Sequence, residues 1–266
     1  MVLTLVTAPT AEPVSLTEAK AHLRVDISTD DTLIEALIMA AREYCEGFQR
    51  RAYVTQTREL ILDRFPSTGA TIELPMAPLR SVSSIKYTDK DGVETTWAAS
   101  NYIADTKSEP GRVSLGYGKS WPSTTLRPIN GVSIRYVVGY TTPFTANVTT
   151  DTLTAVGHPY ANGDVVRISN TGGAVPAGLS TLTDYYVIGV SGNTLQLSAT
   201  SGGSAIDITG VGTGTHFLGV VPQKVRQAML LLIGHWYENR ELYLTGTMAA
   251  QLQFTVESLL WLDRVF

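Results

Sequence analysis

The spacing of apolar residues divides the 266-residue chain into a helical stretch, a long strand-rich stretch and a second helical stretch. The first helix signal is "SLTEAKAHLRV". Ser15 and Glu18 have the spacing of a capping box, in which the hydroxyl takes an orphan backbone N–H and the carboxylate reaches back. Leu16, Ala19 and Leu23 then share a face. The next signal is "STDDTLIEALIMAAREYCEGFQRR". Ser28, Thr29 and Asp30 offer N-caps. Leu33, Leu37, Ala41, Tyr44 and Phe48 recur at helical spacing, and Ile34, Ile38 and Cys45 widen that stripe.

From Thr55 to Val138 the period falls to two. "RELILD", "ATIEL", "VSSIKY" and "GVSIRYVV" read as strands separated by Pro and Gly. "YTDKDGVETTW" predicts a hairpin, with Asp91-Gly92 as its turn and Tyr87 and Trp97 in its two arms. The composition then shifts. Phe144 to Gly219 contains no Lys or Glu, one Arg and four Asp, and is crowded with Gly, Ser and Thr. "TLTAV", "DVVRIS", "DYYVIGV", "TLQLSA" and "AIDIT" predict an all-β segment, with Gly192-Asn193 as a hairpin turn. So sharp a change of style predicts an inserted module whose two ends lie close together. After Val221-Pro222 the helical style resumes. Pro222 suits a first turn, and Val225, Met229, Leu232, Ile233 and Trp236 mark one helix side. "GTMAA" interrupts the pattern. "QFTVESLLWLDRVF" predicts a last helix with Val256, Leu259, Leu260 and Val265 apolar.

The bulk numbers narrow the chemistry. A hydrophobic share of 44% and a charged share of 17% suit a folded chain with a sizeable core. A net charge of -4 argues against wrapping DNA through phosphate neutralisation, though not against letting DNA slide past. A single cysteine, Cys45, excludes an intrachain disulfide framework and a cysteine zinc cluster. It falls on the apolar side of its helix and reads as a buried small hydrophobe. "MVLTLVTAPTAEP" lacks the basic and apolar regions of a signal peptide. The longest apolar run, "AMLLLIG", is too short to span a bilayer. The chain is therefore expected in a cytoplasm, or assembled there into something larger, with no membrane partner.

"LLIGHWYENRE" raises the sharpest question. His235 and Glu238 stand three apart, a spacing that can serve one metal or one proton. A metal centre needs a third ligand, and His22, His158 and His216 are scattered singly. "GVGTGTHF" is glycine-rich but lacks the end of a phosphate loop. No nucleophile elbow, paired-carboxylate motif or nucleotide fingerprint is present. The expectation is no catalytic residue, no metal and no cofactor. Trp236, Tyr237 and Arg240 belong instead to the residue types that dominate interface energy.

Five segments, in order, resemble the head–tail connector (adaptor) proteins of tailed bacteriophages. They are "VSLTEAKAHLRVD", "DDTLIEALIMAAREYCEGFQRRAYVTQTREL", "IELPMAPLRSVSSIKYTDKDG", "VSIRYVVGY" and "VPQKVRQAMLLLIGHWYENRE", within Val14–Tyr140 and Val221–Phe266. The closing "LLWLDRVF" matches that family's terminal pattern in part, and Trp261-Leu262-Asp263 departs from it. The resemblance implies an α+β protein. Residues 1–143 and 220–266 would form a helical connector core with a β portion, and residues 144–219 an inserted small all-β domain. It further implies a homo-oligomeric, dodecameric ring in the virion neck, assembled in the host cytoplasm. Such a ring docks beneath the portal protein, meets a stopper or tail-completion protein on its other face, and passes double-stranded DNA without reading its sequence. Trp236, Tyr237, Arg240, Leu259, Leu260, Trp261 and Arg264 are the candidate interface residues, and the insert could touch the capsid. Two rivals stay open: a neck or tail binding module whose insert recognises a capsid, tail or glycan partner, and a metal-dependent assembly enzyme using His235 and Glu238.

Overall fold

The structure, a computed structural model, describes residues 1–67, 69–239 and 256–265. It divides into two compact units: residues 1–9, 50–139 and 265–266, and residues 10–49 and 140–264.

The first unit is built of two antiparallel sheets. One has the order β1 (Val2–Thr7), β2 (Gln56–Leu62), β8 (Val132–Val138), β4 (Leu79–Thr88), β5 (Glu94–Trp97). The other has the order β3 (Ile72–Leu74), β7 (Gly111–Leu115), β6 (Tyr102–Asp105). Alternation along β8 decides which face is inside. Val132, Ile134, Tyr136 and Val138 are buried, while Ser133, Arg135 and Val137 are not. The inward set meets Leu60, Leu74, Ile85 and Val113 in one core. Phe65, Trp97 and Trp121 extend it, with Phe65 stacked on Trp121 at 5.3 Å and Trp97 at 5.1 Å from Trp121. The predicted hairpin is β4–β5. Its turn residue Gly92 has φ +85°, and the Asp89 carboxylate accepts from the N–H groups of Asp91 and Val93 at 2.9 Å each.

The second unit holds α1 (Leu16–Leu23), α2 (Asp31–Gln49), α3 (Gln223–Glu238) and a short helical segment at residues 256–261. Ser15 caps α1, its hydroxyl accepting from the Glu18 N–H at 3.1 Å. The other half of the predicted capping box is not made. The Glu18 carboxylate instead accepts from Arg226 of α3, with both oxygens 2.7 Å from one guanidinium nitrogen. A charge-assisted bond outcompetes one neutral N–H. On α2 the buried line is Ile34, Ile38, Ala41 and Cys45. Leu33, Leu37, Tyr44 and Phe48, the spacing read as its centre, are half-buried flanks.

Arg42 is also buried on α2. It donates to Glu12 at 2.8 Å and to Glu46, one turn on, at 2.9 Å. Burial holds the Glu12 carboxyl above the usual carboxylate range, against the pull of Arg42, and Glu46 adds to the rise.

The rest of this unit is a closed antiparallel barrel, in the order β10 (Thr152–Thr154), β13 (Thr194–Ser198), β12 (Asp184–Ser191), β11 (Val165–Thr171), β14 (Thr215–Leu218), β9 (Thr142–Asn147). β9 pairs with both β10 and β14, so no strand edge is left open. Leu153, Ile168, Val187, Leu195, Leu197 and Leu218 fill it. Thr142 lies opposite Leu218, which brings the two ends of the barrel side by side. At its base Gly214 has φ +82°, and a Cβ there would lie 2.4 Å from the Thr171 carbonyl oxygen, so no side chain fits.

Two expectations need correction. Residues 205–209, "AIDIT", form no strand. Ile208 is buried in the barrel, but its N–H donates to the Asp151 side chain at 2.8 Å rather than to a ladder. Nor is the part before the barrel a helical core. Among the described residues it has eight strands and two regular α-helices, because the β1, β6 and β7 segments are strands without a strong period in sequence.

Replacing Arg42 by Ala leaves Glu12 and Glu46 facing one another in a buried setting. The expected loss is about 3 kcal/mol of unfolding free energy, read from urea denaturation, with Arg42→Lys recovering part of it.

Candidate assembly surface

The candidate residues near the chain end converge on α2. Tyr44 and Phe48 are one turn apart and line one flank of that helix. Trp236, near the end of α3, packs edge-on to Tyr44 with ring centroids 6.3 Å apart. Trp261 lies tilted against Phe48 at 6.5 Å. The Arg264 guanidinium sits 5.0 Å from the Phe48 ring centre and 5.7 Å from that of Trp261, within cation–π range. Two polar links hold the terminal segment: the Gln49 side-chain amide donates to the Leu260 carbonyl at 2.7 Å, and Lys224 pairs with Asp263 at 2.6 Å.

Burial then sorts the candidates. Leu260 is 0% exposed within its own chain. The turn of helix at 256–261 points Val256 and Leu260 inward, four residues apart, and leaves their neighbours outside. Leu259 is half-buried. Trp236 and Tyr237 are half-buried, and the Tyr237 hydroxyl donates to Asp30 at 2.5 Å. Trp261 is 53% exposed and Leu262 83% exposed. Arg240 lies outside the described residues. Trp261 and Leu262 are therefore the exposed apolar residues here, with the half-buried Arg264 guanidinium against the Trp261 ring. Leu262 was not singled out from sequence, because period alone does not say on which side a helix end turns.

The half-buried His235 ring has Asn239 at 3.2 Å, and the Asn239 amide donates to the His235 carbonyl at 2.9 Å, while Glu238 is exposed. Among the described residues no group of three His, Cys, Asp or Glu could hold a metal ion. Cys45 is buried, and burial pushes its thiol up to about 12. A thiol so rarely ionised is a poor nucleophile. Among the described residues no helix is long and apolar enough to cross a membrane.

With α2, α3 and the terminal segment placed, comparison with known proteins becomes specific. Residues 13–93 match the family of phage gp6-like head-tail connector proteins. The connector match takes in α1, α2 and strands β2 to β4 as far as the β4–β5 turn, so the Tyr44–Phe48 flank lies inside it and β1 and α3 outside. Three solved structures share the fold over 100% of this chain and 96% of their own. They are a chain in the neck of an empty gene transfer agent (GTA) particle computed with C6 symmetry, at TM-score 0.58 and 18% identity; one in the virion of a native gene transfer agent particle, at 0.57 and 19%; and one in the neck of a native GTA particle computed with C12 symmetry, at 0.56 and 19%. The likeness in fold spans the whole chain, while the family match stays at residues 13–93. No curated protein matches the sequence.

The two tryptophans are expected to behave differently. Trp236→Ala removes a half-buried ring from Tyr44 and lowers stability by roughly 1–2 kcal/mol, below the cost of a fully buried tryptophan. Trp261→Ala stays within about 0.5 kcal/mol of the wild type, as for an ordinary surface change. Urea titration of both variants checks this.

Proposed function

We propose that this chain is a structural head–tail connector of a phage-like particle. It forms a ring in the neck, beneath the portal, and carries no catalytic activity. The observation behind this reading is the coincidence of two comparisons: a connector-family match over residues 13–93 and a fold shared from end to end with neck components of gene transfer agent particles. The C6 and C12 symmetries of those necks favour a ring, one of twelve copies.

On this reading the patch at Trp261, Leu262 and Arg264 docks against a neighbour, with the portal protein as its partner, since exposed apolar patches mark partner sites. A stopper or tail-completion protein binds the other face of the ring. Double-stranded DNA passes through the lumen without sequence readout, in keeping with a chain of net charge -4 that does not grip phosphates. Residues 144–219 are an inserted module carried on a connector of residues 1–143 and 220–266.

Electron microscopy of the purified chain, alone and mixed with its portal, tests the reading. Annular particles, and a ring of density capping the portal with one copy per portal subunit, are the expected outcome. Density confined to a capsid face or a tail tube would sink it. Trp261→Ala is expected to weaken capture by the portal about tenfold or more, the scale of an aromatic anchor.

A further inference from the structure

The two units carry opposite charge. The first has twelve Lys and Arg against eight Asp and Glu, net +4, and the second has eight against sixteen, net -8. Each unit also has an unexplained surface feature.

In the second unit a cleft of about 330 Å³ opens beside α1 and α2. Val14, Leu16, Ile38 and Met39 give it apolar walls, and Glu12 and Glu35 are in its lining. Met39 is 49% exposed there, and Glu35 is exposed and forms no ion pair with a described residue. A volume of roughly 300 Å³ is the lower limit of small-molecule pockets. It suits one large side chain better than a cofactor. In the first unit the connection between β7 and β8 projects a tip, Gly116-Tyr117-Gly118-Lys119. Gly118 has φ +68°, which sets the bend. Tyr117 is 102% exposed, so no described residue covers it. Lys119 is exposed and forms no ion pair with a described residue.

A lone tyrosine on a glycine-flanked tip beside an unpaired lysine fits an apolar cleft beside an unpaired glutamate. Tyrosine is among the residues that most often anchor interfaces. Because knob and hole belong to the same chain and to units of opposite charge, the occupant that satisfies both is a second copy. A head-to-tail contact of this kind closes into a ring when the rotation per copy allows. We infer that Tyr117 of one copy inserts into the cleft beside Met39 of the next, with Lys119 paired to Glu35. The inference rests on the ring reading above and names the contact between neighbours.

Disulfide trapping of the full-length chain tests it. Tyr117→Cys protein is mixed with Met39→Cys protein under mild oxidation, and Cys45, buried with its thiol pushed up to about 12, does not compete. The mixture is expected to give a cross-linked dimer that neither variant gives alone. Adding Lys119→Glu to the first partner lowers the yield about threefold, the scale of an exposed ion pair, and adding Glu35→Lys to the second restores it. If the mixture gives no more dimer than the single variants while the wild-type chain assembles, the contact is wrong and the ring reading stands. A wild-type chain that assembles neither alone nor on the portal removes both. Retention of duplex DNA that is lost with Lys119→Glu, in the absence of cross-linking, would assign the tip to nucleic acid and overturn the inference.

Discussion

A guanidinium enclosed by protein must be met by negative charge, or the cost of removing it from water is unopposed. Arg42 imposes that condition on the second unit. Glu46 answers it from the same helix and Glu12 from the segment before α1. Once residue 12 is held against α2, α1 starts four residues later in a fixed place, capped by Ser15. Its eight residues are too few to be stable alone. Glu18 then reaches Arg226 on α3, and Lys224 on the same helix reaches Asp263. Segments about two hundred residues apart are thereby held by directional pairs, with the apolar line of Ile34, Ile38, Ala41 and Cys45 beneath them.

Features whose chemistry is local were legible in the sequence. The Ser15 cap, the Asp91-Gly92 turn and the Gly192-Asn193 turn each depend on residues within a few positions of one another. Features that depend on a distant partner were not. Glu18 carries the same capping-box signal whether it turns back to its own helix or out to Arg226. The apolar stripe of α2 was visible, but its centre was displaced by one residue, since Leu33 and Ile34 differ only in which tertiary neighbour arrives. β1 was missed: Val2 and Leu5 are 51% and 46% exposed on an edge strand, without the clean alternation that marks a half-buried one. "AIDIT" alternates well yet is no strand, because Asp151 takes the N–H that a ladder would need.

The assembly surface shows the same limit at finer scale. Leu260 and Trp261 are adjacent, yet one is interior and the other open. Residue type predicted that this turn matters; only the rotation of the helix about its axis decides how. Charge segregation was hidden for another reason. All the charged residues of the positive unit lie in residues 50–139, and the total charge adds them to those of its acidic counterpart. The overall -4 is the sum of +4 and -8.

The pairing of Thr142 with Leu218 has a consequence for how this chain can change. The helical part of its unit meets everything in between as a short connection, since the chain departs and comes back one strand apart. Closing that connection costs little more when it is long than when it is brief, because loop entropy grows only with the logarithm of length. On the proposed reading of residues 144–219 as an inserted module, a barrel that offers no open edge can be enlarged or trimmed at the same two positions with small entropic cost to the rest of the chain. Drift and recombination can work there as on a socket, while the rest of the sequence stays fixed.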